Sequence, residues 1–225
     1  LLKSITDLIK DTVIPPVCAV CGRISAYYLC QNCISSIVPI SSGAMCSCCG
    51  SPLPEEMTGM CGLCRSEGYG FTAHRSFALY SGNMKEVIRK YKYKKVFGLG
   101  LVLAGFLSEV YEKHFAGKDI DYVDTVPGEH TELLAASFSN RLRIPFAANI
   151  IRIRDPERQG GMGLAERKVN ILDCFKLRDC LAYKGKNVLV IDDVWTTGST
   201  LREICRAVSS GGARGIYLLT LARRI

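Results

Sequence analysis

From Phe71 onward the chain alternates short apolar runs with segments whose apolar positions recur every three or four residues. Phe71 to Tyr80 reads as a strand, Asn83 to Tyr91 and Leu99 to Phe115 as helices, and Tyr122 to Val126 as a short strand. Glu132 to Leu142 is again helical, a strand comes next around Ala148 to Ile153, and the polar, glycine-bearing Asp155 to Lys168 reads as a long mobile loop. Ile171 to Leu177 is a further strand. Val188 to Ile191 is an uninterrupted apolar run bounded by polar residues, the pattern of a strand buried on both faces of a parallel sheet. A helix over Leu201 to Val208 and a strand over Gly215 to Ala222 complete the series. Alternation of this kind predicts an α/β fold, a mostly parallel sheet with helices on both faces. The first 70 residues differ: Leu1 to Val13 carries a helical apolar stripe that Pro15 and Pro16 terminate, and it is expected to dock on the cysteine-rich segment from Val17 onward. The expected division is 1–70 and 71–225.

Val17 to Gly68 is poor in long apolar segments and rich in Cys, Ser, Gly and Pro, too little to build an adequate core without metal. Of the twelve cysteines, eight form four Cys-x-x-Cys pairs: Cys18 with Cys21, Cys30 with Cys33, Cys46 with Cys49, and Cys61 with Cys64. Repeated pairs with short spacers predict two structural Zn²⁺ sites of four thiolates each. Gly22 and Gly50 follow the second Cys of a pair, as a zinc knuckle prefers, and Cys48 is read as a spectator. Sequential ligation, as in a double zinc ribbon, is expected, with cross-bracing the alternative that spacing leaves open.

The stretch Val188 to Leu201, VLVIDDVWTTGSTL, holds the candidate chemistry. Asp192 and Asp193 end the apolar run, and adjacent carboxylates are expected at the sheet edge, where open α/β sheets bind ligands. Thr196, Thr197, Gly198, Ser199 and Thr200 then form a small, hydroxyl-bearing turn into a helix, an anion site suited to a phosphate monoester. Diol-binding carboxylates beside a phosphate cradle describe a ribose 5-phosphate pocket. The plain alternative is a strand, a polar turn and a helix with no ligand.

Net charge is +8, carried by the second part: residues 1–70 hold four Lys or Arg against five acids, leaving 25 against 16 in the remainder. A polyanionic sugar phosphate and a nucleic acid would both suit this surface. The densest basic run is Arg89-Lys90-Tyr91-Lys92-Tyr93-Lys94-Lys95. It has three readings: a solvated helix face, a phosphate-facing segment, or a single-stranded DNA contact in which the tyrosines stack on bases. No apolar run reaches membrane-spanning length and the N-terminus lacks a signal-peptide pattern, so a cytoplasmic protein without membrane insertion is expected.

The Val188 to Leu201 stretch resembles the 5-phosphoribosyl-1-pyrophosphate (PRPP) signature of type I phosphoribosyltransferases. Zinc knuckles ahead of it resemble the ComF family, the competence-associated proteins of bacteria. The Lys92-Tyr93 pair, Gln159, Arg167 with Asn170, and Gly212-Ala213 before the last strand add to the likeness. The resemblance implies the type I phosphoribosyltransferase fold with a small N-terminal zinc-ribbon module. It also implies a transferase that displaces pyrophosphate from PRPP with Mg²⁺, and a link to natural transformation and DNA uptake. Under it, Asp192 and Asp193 orient the ribose hydroxyls and Thr196 to Thr200 hold the 5-phosphate. Lys92, Pro127, Arg158, Gln159 and Arg167 are candidates for pyrophosphate binding or a lid. The acceptor and the catalytic residues stay unnamed. The rival functions are a single-stranded DNA binder with a regulatory or vestigial PRPP pocket, and a zinc platform for other competence proteins. One departure stands out: where the family has an arginine-rich loop after Val126-Pro127, this sequence runs straight into Gly128-Glu129-His130-Thr131. The expectation is a mobile loop whose residues the numbering closes over.

Overall fold

The computed structural model describes residues 16–40, 43–154 and 173–224. The expected helix over Leu1 to Val13, the loop over Asp155 to Lys168, and Ile171 fall outside them. Two short helices, α1 (Gln31–Ser35) and α2 (Gly62–Glu67), belong to the cysteine-rich segment. The α/β part runs β1 (Ala73–Leu79), α3 (Gly82–Tyr93), a 3₁₀ turn (Phe97–Leu99), α4 (Gly100–His114), β2 (Tyr122–Thr125) and α5 (Glu129–Leu142). It continues with β3 (Ile150–Arg152), β4 (Phe175–Leu177), β5 (Asn187–Trp195), α6 (Ser199–Ser210) and β6 (Gly215–Arg223).

Four strands form one parallel sheet in the order β1-β6-β5-β2. Side chains alternate across it, as the twofold period of a strand requires. Leu189, Ile191, Leu219 and Leu221 enter the core beneath α3, α4 and α5, whereas Val188, Val190, Ile216 and Leu218 enter the core beneath α6. Both faces of the central strands are therefore buried, which is why β5 reads as a continuous apolar run.

The strands over Ala148–Ile153 and Ile171–Leu177 depart from the expected parallel sheet. Here β3 and β4 are three residues each and pair antiparallel with one another, away from the main sheet. The chain touches the edge of β2 only at Phe146, opposite Val123. Ala148, with φ of 47°, then turns it off that edge, and the buried Asp124 carboxylate accepts the backbone N–H groups of Asn149 (2.9 Å) and Ile150 (3.0 Å). The fully buried Tyr183 hydroxyl also donates to Asp124, so one carboxylate fixes the start of this hairpin-like sheet.

The other free edge, β1, is covered by the cysteine-rich segment. Ile40 N–H donates to Phe77 O (2.9 Å) and Leu79 N–H to Val38 O (3.3 Å), which occupies ladder groups otherwise open to association. Between β2 and α5 the connection is only Val126 to Gly128, with no longer loop between them. Helix α5 starts three residues earlier than expected, because Gly128 takes the cap position and its N–H donates to Glu132 Oε1 at 3.2 Å.

Candidate functional site

The cysteines sort into two quartets, Cys18, Cys21, Cys30, Cys33 and Cys46, Cys49, Cys61, Cys64, whose sulfurs lie within 4.8 Å of one another in each. The grouping is therefore sequential, the first two pairs together and the last two together, and Cys48 belongs to neither set. Sulfur pairs Cys21–Cys30 and Cys49–Cys61 stand 3.8 Å apart, the edge of a tetrahedron with Zn–S bonds of about 2.3 Å. Gly22 (φ 73°) and Gly50 (φ 65°) supply the left-handed residue that each knuckle needs. Burial alone would push the Cys46 thiol up, but the backbone N–H groups of Cys61, Cys49 and Cys48 outweigh it and bring it down to about 6. Cys18 is likewise brought down to about 6 against its burial, by the N–H groups of Cys21, Cys30 and Val20. Burial pushes Cys33 and Cys64 the other way, so each quartet mixes lowered and raised thiols, and what fits Zn²⁺ is the tetrahedral grouping of four sulfurs in each.

In the α/β part, β5 continues past the end of β2, whose last partner is Ile191. Asp192 and Asp193 thus lie near the C-terminal end of β5, at the expected edge, on a strand extension that pairs with β6 alone among the described strands. Beside them opens a cavity of ≈ 380 Å³. Its walls include Asp192 and Asp193, Thr196 and Thr200, Lys92 and Tyr93 from the end of α3, Tyr80, Arg152 and Arg224. A niche of ≈ 20 Å³ continues into the turn, lined by Thr196 and the Gly198 to Leu201 backbone. Gly198 caps α6 with φ of 75°, and Thr197 Oγ1 sits 2.9 Å from Ser199 Oγ inside that turn. The N–H groups of the first turn of a twelve-residue helix thereby border the cavity.

The two carboxylates are in different states. Asp193 is 4% exposed and takes Lys92 Nζ at 2.5 Å and His130 Nε2 at 3.1 Å on the same oxygen. Burial would raise its carboxyl, but the hydrogen bond from His130 and the Lys92 ammonium outweigh burial and hold it below the ordinary carboxylate range. Asp192 is driven well above that range by burial and by the charge of Asp193. One carboxyl raised beside one held low favours a hydrogen-bond donor next to an acceptor on the cavity wall, a fit for vicinal hydroxyls.

The basic run divides. Tyr91 is 1% exposed, its hydroxyl donating to His130 O at 2.9 Å, which withdraws it from the base stacking expected of it. Lys92 enters the cavity; Tyr93, Lys94 and Lys95 are exposed, Lys95 pairing with Glu129 at 2.8 Å. Pro127 stands back from the cavity and offers its carbonyl to Arg152 Nη2 at 3.1 Å. Arg158, Gln159 and Arg167 lie outside the described residues. Sequence reading missed Tyr80, His130, Arg152 and Arg224, which reach the site from the ends of separate elements. Only Arg224 carried a signal, since a residue just past the last parallel strand falls at the ligand-binding edge.

Residues 9–65 match the double zinc ribbon domain model and residues 100–225 the phosphoribosyl transferase domain model. The chain is 26% identical to competence protein ComFC of Streptococcus pneumoniae, covering 87% of each chain. It is 26% identical to competence protein F of Haemophilus influenzae, over 87% of this chain and 90% of that one. Similarity to the DNA utilization protein YhgH of Salmonella typhimurium is 23% over 94% of this chain and 99% of that one. These relatives bear out the ComF resemblance. Among the described residues no helix is long and apolar enough to cross a membrane.

Proposed function

The chain belongs to the phosphoribosyl transferase domain family, and on that premise we propose that its cavity binds PRPP and supports displacement of pyrophosphate from C1 of the ribose. The observation that carries this reading is the acidic pair and the α6 phosphate turn opening on one cavity. Thr196 to Thr200 and the first turn of α6 take the 5-phosphate. Asp192 and Asp193 take the ribose hydroxyls. Lys92, Arg152 and Arg224 supply positive charge toward the pyrophosphate, compensating for the arginine-rich loop that the three-residue β2–α5 connection lacks. Mg²⁺ accompanying PRPP would neutralise charge on the leaving pyrophosphate. Outside the cysteine quartets, the described residues hold no cluster of three or more metal-binding side chains. Substrate oxygens and water would therefore provide most of its ligands.

In this reading residues 1–70 form the zinc module and 71–225 the transferase-like domain, and zinc sites built from cysteine sulfurs suit a reducing compartment such as the cytoplasm. The names of the relatives, two competence proteins and a DNA utilization protein, point to a role in DNA uptake or use. A second reading, contact with single-stranded DNA, is favoured by Tyr93, 69% exposed beside the exposed Lys94 and Lys95.

Calorimetry with PRPP, ribose 5-phosphate and 2-deoxyribose 5-phosphate tests the main reading. PRPP binds tightest and the deoxy sugar weakest, and the Asp192→Asn, Asp193→Asn double variant loses PRPP binding while staying folded. Equal affinity for the two simple sugars would remove the diol assignment.

A further inference from the structure

The second cysteine quartet and the phosphate turn lie on opposite sides of one buried pair of rings. His74, at the start of β1, is fully buried. Its backbone N–H donates to Cys48 O at 2.7 Å, and its Nδ1 lies 3.1 Å from Cys49 O. A carbonyl only accepts, so Nδ1 carries the proton, and Nε2 is left as the acceptor facing the hydroxyls of Thr220 (3.0 Å) and Ser76 (3.2 Å). The imidazole stacks on the indole of Trp195, with centroids 4.4 Å apart and planes 21° from parallel. The same indole is the wall behind Gly198: a Cβ built there would stand 2.6 Å from Trp195 Cζ2.

The knuckle is held on this stack with little slack. Arg223 Nη1 donates to the same Cys49 carbonyl at 2.7 Å, and Arg75 Nη2 to Ser47 O at 3.1 Å. A Cβ at Gly50 would stand 2.7 Å from His74 O. The contact chain therefore runs from the ligands Cys46 and Cys49 through the knuckle carbonyls, His74 and Trp195 to the cap of α6, with each step in van der Waals or hydrogen-bond contact. The first quartet offers an internal control. Its Cys18 and Cys33 pack in the core with Ala78 and Met84, whereas Cys46, Cys49 and Cys64 share the other core with Trp195.

We propose that His74 and Trp195 are positioning residues that couple the Cys46–Cys64 zinc site to the 5-phosphate turn, so that zinc there tightens phosphate-ester binding and the bound ester tightens zinc retention. The proposal rests on the ribose 5-phosphate reading of the site. Without zinc the knuckle carbonyls leave His74, the ring stack loses its fixed depth, and Gly198 loses the wall that shapes the turn. Reciprocity is required, because a coupling free energy acts equally on both ligands.

Trp195 is the only tryptophan in the chain, so its emission reports on this joint alone. The experiment measures ribose 5-phosphate affinity by calorimetry and Trp195 emission for the full chain, for Cys21→Ser (first site) and for Cys64→Ser (second site). Zinc content and far-UV circular dichroism are recorded for each. Cys64→Ser is expected to weaken ribose 5-phosphate binding by about five-fold or more and to shift the emission, with Cys21→Ser within about two-fold of wild type and unshifted. His74→Phe keeps a ring against Trp195 but drops the ring's hydrogen bonds to Cys49 O, Thr220 Oγ1 and Ser76 Oγ. It is expected to retain two zinc ions, and adding Cys64→Ser to it then changes affinity by less than about two-fold. Wild-type binding with equal losses in the two cysteine variants, or with none, overturns the coupling. So does a full Cys64→Ser effect that persists in the His74→Phe background, which also covers the case in which Cys64→Ser merely unfolds. Absence of ribose 5-phosphate binding by the zinc-loaded wild type overturns the site reading and the coupling together.

Discussion

Lys92 Nζ stands 2.5 Å from Asp193 Oδ2, joining the end of α3 to the strand extension of β5 across 101 residues of sequence. Burial would raise this carboxyl, and the hydrogen bond from His130 together with the Lys92 ammonium holds it below the ordinary range instead. Lys92→Met leaves His130 alone on that oxygen and is expected to cost about 1–3 kcal/mol. Urea denaturation measures this, and an unchanged midpoint would mean that the pair contributes nothing to the fold.

The same lysine separates the two ligands of the basic run. Lys92→Ala is expected to weaken PRPP binding about ten-fold or more, since its ammonium lines the cavity. Exposed Lys94 and Lys95 changed together to Ala should leave PRPP affinity within about two-fold. If they contact single-stranded DNA, they lower the salt dependence of its binding by about 0.7 per lost phosphate contact. Loss of PRPP binding in the Lys94, Lys95 variant would redraw the site.

Asp192 makes the fold pH-sensitive in a direction opposite to Asp193. Burial and the neighbouring charge raise its carboxyl, so the native chain keeps a proton that the unfolded chain releases near pH 4, at about the free aspartate value. Its stabilising contribution is complete below that pH and is lost as pH rises toward the folded value. Asp193, held low, contributes above about pH 4 and loses that contribution as the solution is acidified. Asp192→Asn should therefore unfold at higher urea than wild type, by a margin that widens from about pH 4 upward. A margin independent of pH would contradict the raised carboxyl.

Elemental analysis should find two zinc ions per chain, one in Cys18→Ser, and two in Cys48→Ser, whose sulfur lies outside both quartets. Loss of metal from the Cys48 variant would overturn its reading as a spectator.

Asp124→Ala removes the acceptor of the Thr125, Asn149 and Ile150 N–H groups and of the Tyr183 hydroxyl. The expected cost is about 3 kcal/mol or more, against about 1 kcal/mol for Tyr183→Phe. Similar losses from both would show the backbone groups re-satisfied elsewhere.

Much of this molecule was legible along the chain because its information is local. Four Cys-x-x-Cys pairs announce two metal sites, a continuous apolar run announces β5, and VLVIDDVWTTGSTL places carboxylates and an anion turn within a few residues of each other. Period and spacing determine these features before any long-range contact forms. What the sequence left open depended on which distant segments meet. Sequential pairing of the quartets, the withdrawal of β3 and β4 from the main sheet by Asp124, the arrival of Arg152 and Arg224 at the cavity and the placement of His130 against Asp193 are all set by packing. The clearest case is the basic run: Tyr91 and Lys92 are neighbours of similar promise in sequence, yet helix geometry turns one into the core and the other toward Asp193. A helix advances about 100° per residue, so its position against the sheet, set by the apolar stripe of Met84, Val87, Ile88 and Tyr91, decides which of two adjacent residues meets the ligand.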